Sequence, residues 1–455
     1  MSLQDQAALV FSSVAALAAL VGFALAVAWV RRSPPVGLWL IGLTLISLWE
    51  VPNPPAILQL SGISVYPSDV ITTVFFVVGV LELTQLRVNL GGLFALWVLF
   101  GLLIAVSLLR GVGEFGPGTA FSESRTIVYF FFAMTWALAL RPDRLKLHTF
   151  SLALGWALVL VCLYHGVRYG IGSAASSISL DDGVTQSGRP LSGSQTVALL
   201  LCAATAKCGS GKVRSQFPAV SSLVFLGGLV LAQHRSVWTA GLLGVGAVAI
   251  WSGRSLARKR AIVPLIVGAW LLLFGWTSGI LSGSEYVESA ADTGTFAWRT
   301  ASWQELISRS ISNGLAVVIG GQPFGTGNLR QLSTGAWTAV SAHNWYVEIF
   351  LRLGIVGVIT LAAVLVVALA KSRTGPPLWT FIIAAVAGFG WAYSVEWHLA
   401  PWLGAAITMS LGYGRIAAST PKTVPLSTSV RVAEFERASA SRGVLAHTDY
   451  MQGLE

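Results

Sequence analysis

Apolar stretches of roughly 17–25 residues recur from the first line of the chain to about residue 418, each ended by a few polar or charged positions. Their length and spacing predict about thirteen membrane-crossing helices, near residues 7–30, 36–50, 68–86, 91–109, 125–140, 148–168, 191–207, 216–233, 236–252, 261–281, 344–370, 377–395 and 399–417. The predicted fold is an all-α polytopic membrane protein with 12–13 spans. The connections at 51–67, 110–124 and 169–190 are short and rich in Pro, Gly, Ser or acidic residues. One connection, residues 282–343, is far longer than loops in compact domains run without a function. Within it Phe296, Trp303, Ile307 and Ile311 recur at helical spacing, and Gly320-Gly321-Gln322-Pro323-Phe324-Gly325-Thr326-Gly327 reads as turns. Two domains follow: a membrane domain over 1–418, and a polar, disordered tail over 419–455.

Composition agrees with that pattern. Of 455 residues, 55% are hydrophobic and 11% charged, against about 25% charged in soluble domains. The first apolar run is read as a retained span and not a cleaved signal, because Asp5 precedes it and Arg31-Arg32 follow it. Arg31-Arg32, Arg87, Arg141, Lys207, Arg254, Lys371 and Arg415 fall on every second connection, which the positive-inside rule assigns to the cytoplasm. The long connection and the amino terminus are then extracytoplasmic, and the tail is cytoplasmic. A net charge of +10 forms no basic stripe, so nucleic acid is not an expected partner. Cys162, Cys202 and Cys208 lack metal or disulfide spacing, and the expected outer loops carry no carboxylate or histidine cluster for a metal. No cofactor is expected.

All six lysines fall on the expected cytoplasmic side, whereas the outer basic residues are arginines, whose planar donors match phosphate oxygens. Arg235 lies in the only polar break, Gln233-His234-Arg235-Ser236, between two apolar runs, where a charge is costly unless it has a partner or lines a cavity. Arg189 enters one span, Arg125 lies four residues before Tyr129 at the end of another, and Arg299 lies one turn before Trp303. His343-Asn344 stands at the exit of the long connection. If the helix begins there, His343, Val347, Phe350, Gly354, Gly357 and Leu361 share one face, and the glycines admit a neighbouring helix. His234 and His398, the latter beside Glu396, are the competing histidines.

His343-Asn344, nine residues, then Gly354-x-x-Gly357 resembles the signature of the O-antigen ligase and O-antigen polymerase superfamily of bacterial membrane glycosyltransferases. The Arg189 and Arg299/Trp303 segments are similar to further elements of that superfamily, and Gln233–Ser236 resembles its Ser-Arg element with His234 in place of the serine. The resemblance implies a metal-independent, inverting transfer of a glycan from a polyprenyl (undecaprenyl) diphosphate to an acceptor hydroxyl, at the extracytoplasmic face of a bacterial inner membrane. His343 would be the catalytic base. Arg235, Arg299, Arg189 and Arg125 would hold the diphosphate, with Asn344, Gly354, Gly357 and Trp303 in support. The implied partners are the lipid-linked glycan, a glycan or lipid-linked sugar acceptor, and membrane lipids. Two alternatives stand beside a ligase: a polysaccharide polymerase of the same superfamily, and a transporter of lipid-linked glycan or a small anion.

Overall fold

A computed structural model describes residues 3–48, 55–60, 62–85, 92–140, 146–169, 177–179, 185–187, 189–208, 217–253, 294–312, 314–319, 321–331, 337–339 and 342–419. The expected span at 261–281, Arg87, Arg141, Arg254, most of the connection 169–190 and the tail after Ser419 lie outside the described residues. The chain divides into Met1–Leu411, which holds the elements below, and Gly412–Glu455, of which only the end of the last helix through Ser419 is described.

The described chain is almost wholly helical: α1 Leu3–Arg32, α2 Pro34–Ser47, α3 Pro67–Gln85, α4 Gly92–Phe115, α5 Pro117–Ala139, α6 Leu147–Tyr169, α7 Gly193–Cys208, α8 Phe217–Leu231, α9 Arg235–Trp251, α10 Gly294–Ile311, α11 Trp345–Ser372, α12 Pro377–Gly390 and α13 Ala400–Ser419. Among the described residues three antiparallel strand pairs lie between them: β1 Leu58–Leu60 with β2 Ile63–Val65, β3 Ser177–Ser179 with β4 Thr185–Ser187, and β5 Leu329–Gln331 with β6 Trp337–Ala339. Among the described residues four helices, α3, α4, α6 and α11, are long and apolar enough to cross a membrane, and α1 with α2 makes a fifth if that bent pair is one span. The protein is therefore a membrane-spanning helical bundle, with α8, α9 and α12 as shorter apolar helices.

Prolines set several boundaries. α1 stops at Arg32 and the chain bends by 110° into α2, whose first residues, Pro34-Pro35, cannot extend the preceding helical ladder but fit a helix start. Arg31 then donates to Glu82 of α3 across 2.9 Å, which brings the last turns of α1 and α3 to one level. The 110–124 connection expected from sequence is instead helical: α4 continues to Phe115 and α5 starts at Pro117, with only Gly116, at φ 80°, between them. Most apolar faces meet in one large core, where Phe75 of α3 stacks on Trp136 of α5 at 4.6 Å and Trp345 of α11 meets Phe130 of α5 edge-on at 4.9 Å, while Trp303 and Leu306 of α10 pack with Val347 and Leu351 of α11 in a smaller one. Across α9 and α12 the packing is close because Gly244 and Gly388 lack side chains. A Cβ on either would lie within 2.8 Å of Phe381 or 2.7 Å of Leu243. α8 packs on α6 and α7 and α9 chiefly on α12, so the two helices joined at Gln233-His234 do not pair along their lengths.

The single helical face expected from His343 to Leu361 does not form. His343 and Asn344 precede the helix, and α11 breaks at Gly354, with φ 72° and ψ −171°. Residues 317–319 and 321–322 dock at that break. Val356 donates its N–H to Val318 O (3.1 Å) and Gln322 donates to Leu351 O (2.7 Å), so the backbone groups freed by the break are bonded again. Gly354 thus admits a loop where a neighbouring helix was expected, and a Cβ there would sit 2.6 Å from Val317 O. A Cβ on Gly357 would meet Leu353 of the same helix at 2.3 Å. Because that backbone conformation is essentially restricted to glycine, Gly354→Ala is expected to destabilise the protein by about 2–4 kcal/mol. The midpoint of thermal unfolding checks this, and a variant as stable as the parent would show that the break is not rigid.

Candidate functional site

α12 was expected to run to residue 395, but it ends at Gly390, and residues 391–399 leave the helix before α13 begins. This segment carries Tyr393, on whose ring several sequence-predicted residues converge. His343 meets it edge-on with ring centres 6.3 Å apart. The Arg299 guanidinium lies over it, 5.2 Å from its centre, and donates to Ala392 O at 3.3 Å. His234 also meets it edge-on at 6.3 Å, and Phe389 stacks on it at 5.2 Å. Gly193, at the start of α7, leaves room for the same ring, since a Cβ would touch it at 3.4 Å.

Each member is held by its own element. α10 brings Arg299, and one turn later Trp303 donates its indole N–H to Ala342 O at 2.6 Å, anchoring the residue before His343. Asn344 caps α11, its side-chain oxygen accepting from the N–H groups of Tyr346 (3.0 Å) and Val347 (3.1 Å). Tyr346 ties the same turn to α12 by donating to Ala387 O at 2.7 Å. Between these fixed points His343 adopts φ 44°, a left-handed conformation uncommon for a side-chain-bearing residue. Trp303 and Asn344 therefore hold the backbone on either side of the His343 side chain.

The imidazole of His343 is half-buried, and burial first, the Arg299 charge second, hold its pKa below the usual histidine value of 6.5. It is a neutral base at neutral pH. His234 is nearly inaccessible. Its Nε2 donates to Leu191 O at 2.8 Å, and its Nδ1 accepts from Arg189 Nη1 at 3.1 Å. Burial and the Arg189 charge push its pKa down to about 4, the Leu191 carbonyl opposing them. Because the folded value lies below the unfolded one, this group stabilises the fold fully above pH 6.5, and that contribution is lost as pH falls towards 4. Acidification from pH 7 to 4 is expected to remove roughly 3 kcal/mol through His234, and His234→Leu to flatten that part of the stability–pH curve measured by thermal unfolding.

Arg235 opens α9 directly after His234 and is half-buried. Arg125 is engaged elsewhere: it pairs with Asp69 of α3 at 3.3 Å, donates to Ser64 O and lies over the Tyr66 ring at 4.5 Å, while Tyr129 also donates to Asp69. Its charge is compensated locally, pinning the β1–β2 hairpin and the start of α3 to α5. Near Tyr393, Ser394 donates to Glu348, and His398 Nδ1 meets Glu396 at 3.1 Å. Sequence reasoning missed Tyr393. The signal was the polar series Tyr393-Ser394-x-Glu396-x-His398 inside an otherwise apolar run. Among the described residues no three His, Cys, Asp or Glu side chains are grouped as metal ligands would be.

The arrangement offers a neutral imidazole and one guanidinium against the same aromatic ring, with a second guanidinium bonded to a histidine beside that ring, which suits an anion together with a hydroxyl that must lose its proton. Compared with known proteins, the chain matches no family model, and no curated protein or solved structure is significantly similar to it.

Proposed function

We propose that this chain is a membrane glycosyltransferase that moves a glycan from a polyprenyl diphosphate to an acceptor hydroxyl, as an O-antigen ligase does. The observation that carries the reading is the convergence of His343, Arg299 and the Arg189–His234 pair on Tyr393, from four places far apart in the chain. His343 takes the proton of the acceptor hydroxyl as its oxygen attacks the anomeric carbon. The bond from that carbon to the diphosphate oxygen breaks, the electron pair leaves with the diphosphate, and configuration at the carbon inverts. Arg299, Arg235 and Arg189 stabilise the negative charge that develops on the leaving group. A partly buried site strengthens those interactions relative to water.

Catalysis by these side chains needs neither nucleotide nor metal. The test uses the full chain in lipid nanodiscs with a lipid-linked glycan, a sugar acceptor and a chelator. Appearance of glycosylated acceptor together with free polyprenyl diphosphate in equal amounts is the expected result. Elongation of lipid-linked glycan in place of acceptor transfer would make the enzyme a polymerase of the same chemistry. Movement of intact lipid-linked glycan across a bilayer with no product would overturn the enzyme reading in favour of a transporter.

A further inference from the structure

We infer that His234 is a positioning residue, a neutral imidazole that fixes the Arg189 guanidinium and aims its remaining donors at a phosphate group beside Tyr393. The inference rests on the diphosphate-binding reading above and adds a residue that does not itself touch substrate.

The hydrogen bonds define the ring's chemical state. Nε2 faces the carbonyl oxygen of Leu191, which only accepts, so Nε2 carries the proton. Nδ1 faces a guanidinium nitrogen, which only donates, so Nδ1 carries a lone pair. A ring with one protonated and one bare nitrogen is neutral and held as a single tautomer. The two bonds also form a closed clamp, because Arg189 and Leu191 lie on either side of Pro190. One ring grips the side chain of the first and the backbone of the second, and Pro190 fixes φ between them. Arg189 is left with little rotational freedom. His234 uses one of its five N–H donors, and the other four have no partner among the described residues.

Placement gives those donors a target. The His234 ring is 4% exposed and packs 6.3 Å from the Tyr393 ring, which also carries Arg299 and faces His343. Through His234, the Arg189 guanidinium is one side chain removed from the ring that Arg299 covers. A glutamate or aspartate in place of His234 would fix Arg189 as firmly but would cancel its charge. A neutral imidazole fixes the side chain and leaves the full positive charge for an anion.

The experiment is a double-mutant cycle on donor binding, measured with polyprenyl diphosphate and the full chain in nanodiscs. His234→Leu and Arg189→Ala are each expected to weaken binding about 10- to 100-fold, and the double variant no further than the worse single one. His234→Asn, which keeps an acceptor near the Nδ1 position, is expected to recover most of the loss and guards against a folding defect in the leucine variant. Nitrogen NMR of the parent protein is expected to show His234 protonated at Nε2 and bare at Nδ1. Additive losses, or a ring protonated at Nδ1, would overturn the positioning role while leaving the diphosphate site standing. A parent protein that does not bind the diphosphate would overturn the functional reading, and this inference with it.

Discussion

Replacing His343 by alanine is expected to slow glycan transfer by about a hundred- to ten-thousandfold while leaving binding of the lipid diphosphate close to that of the parent protein. On the proposed mechanism the imidazole acts only as the acceptor oxygen attacks, so its loss falls on kcat and spares the ground-state grip of the arginines. The pH profile is the sharper readout. A base must be deprotonated to work, and burial together with Arg299 holds the His343 pKa below 6.5. The acid limb of the rate profile is therefore expected below that value, with activity lost as pH falls through the folded pKa. Arg299→Gln removes the smaller of the two causes, so the limb should move up, though not all the way to 6.5 because burial remains. The same change weakens donor binding, which His343→Ala does not. A rate that survives His343→Ala within about threefold would leave general-base catalysis to another group.

The helices were legible in the chain wherever an apolar run was bounded by charge or proline. α6, α7 and α10 start and stop within about two residues of the expected limits, because hydrophobic length and periodicity are local properties. Three features were not local. α4 and α5 extend into a stretch whose Gly116, Pro117 and Gly118 read as loop, since a proline at a helix start and one glycine at positive φ suffice to turn the chain. The break at Gly354 is tolerated because Val318 and Gln322 supply backbone partners for Val356 and Leu351, and nothing near Gly354 announces a loop arriving from some thirty residues upstream. The end of α12 was hidden because Trp391, Ala392 and Val395 continue an apolar run, so Tyr393 read as membrane helix.

The site shows the same division. His343 and Arg189 stood out by residue type at span ends and Arg299 on the helix expected within the long connection; His343 and Arg299 lie against one tyrosine, and Arg189 is joined to it through a histidine. Arg125 stood out on the same grounds, but Asp69, more than fifty residues away in sequence, compensates it. Residue type marks a charge that needs a partner, and tertiary structure decides whether that partner is protein or ligand.

Removing the carboxylate of Glu123 is expected to have the largest effect on stability, about 3–5 kcal/mol for Glu123→Ala. Arg352, in α11 just before the break, is only 1% exposed and donates to Glu123 and, at 2.6 Å, to Asn328. Glu123 in turn accepts from the N–H groups of Gly325 and, at 3.3 Å, Gly327, so one carboxylate both neutralises a buried guanidinium and holds the glycine-rich turn. Arg110 fastens the start of the same segment by donating to Gly321 O at 3.2 Å. Without Glu123 the Arg352 charge stays buried with its main counter-ion gone, and two backbone donors lose their acceptor. Glu348 lies close enough for its charge to act on Arg352, but it also accepts from Ser394, so its compensation is partial. A loss of this size is a large share of the roughly 5–15 kcal/mol that folded domains possess. Unfolding in denaturant should show it. Pairing Glu123→Ala with Arg352→Met should recover stability relative to the single variant, because the stranded charge is then absent too. If the double variant is less stable than Glu123→Ala alone, the glycine turn, and not the buried charge, is what Glu123 chiefly supports. Because the chain entering that turn bonds into the break, eleven residues beyond His343, loosening it should also slow transfer in molecules that remain folded.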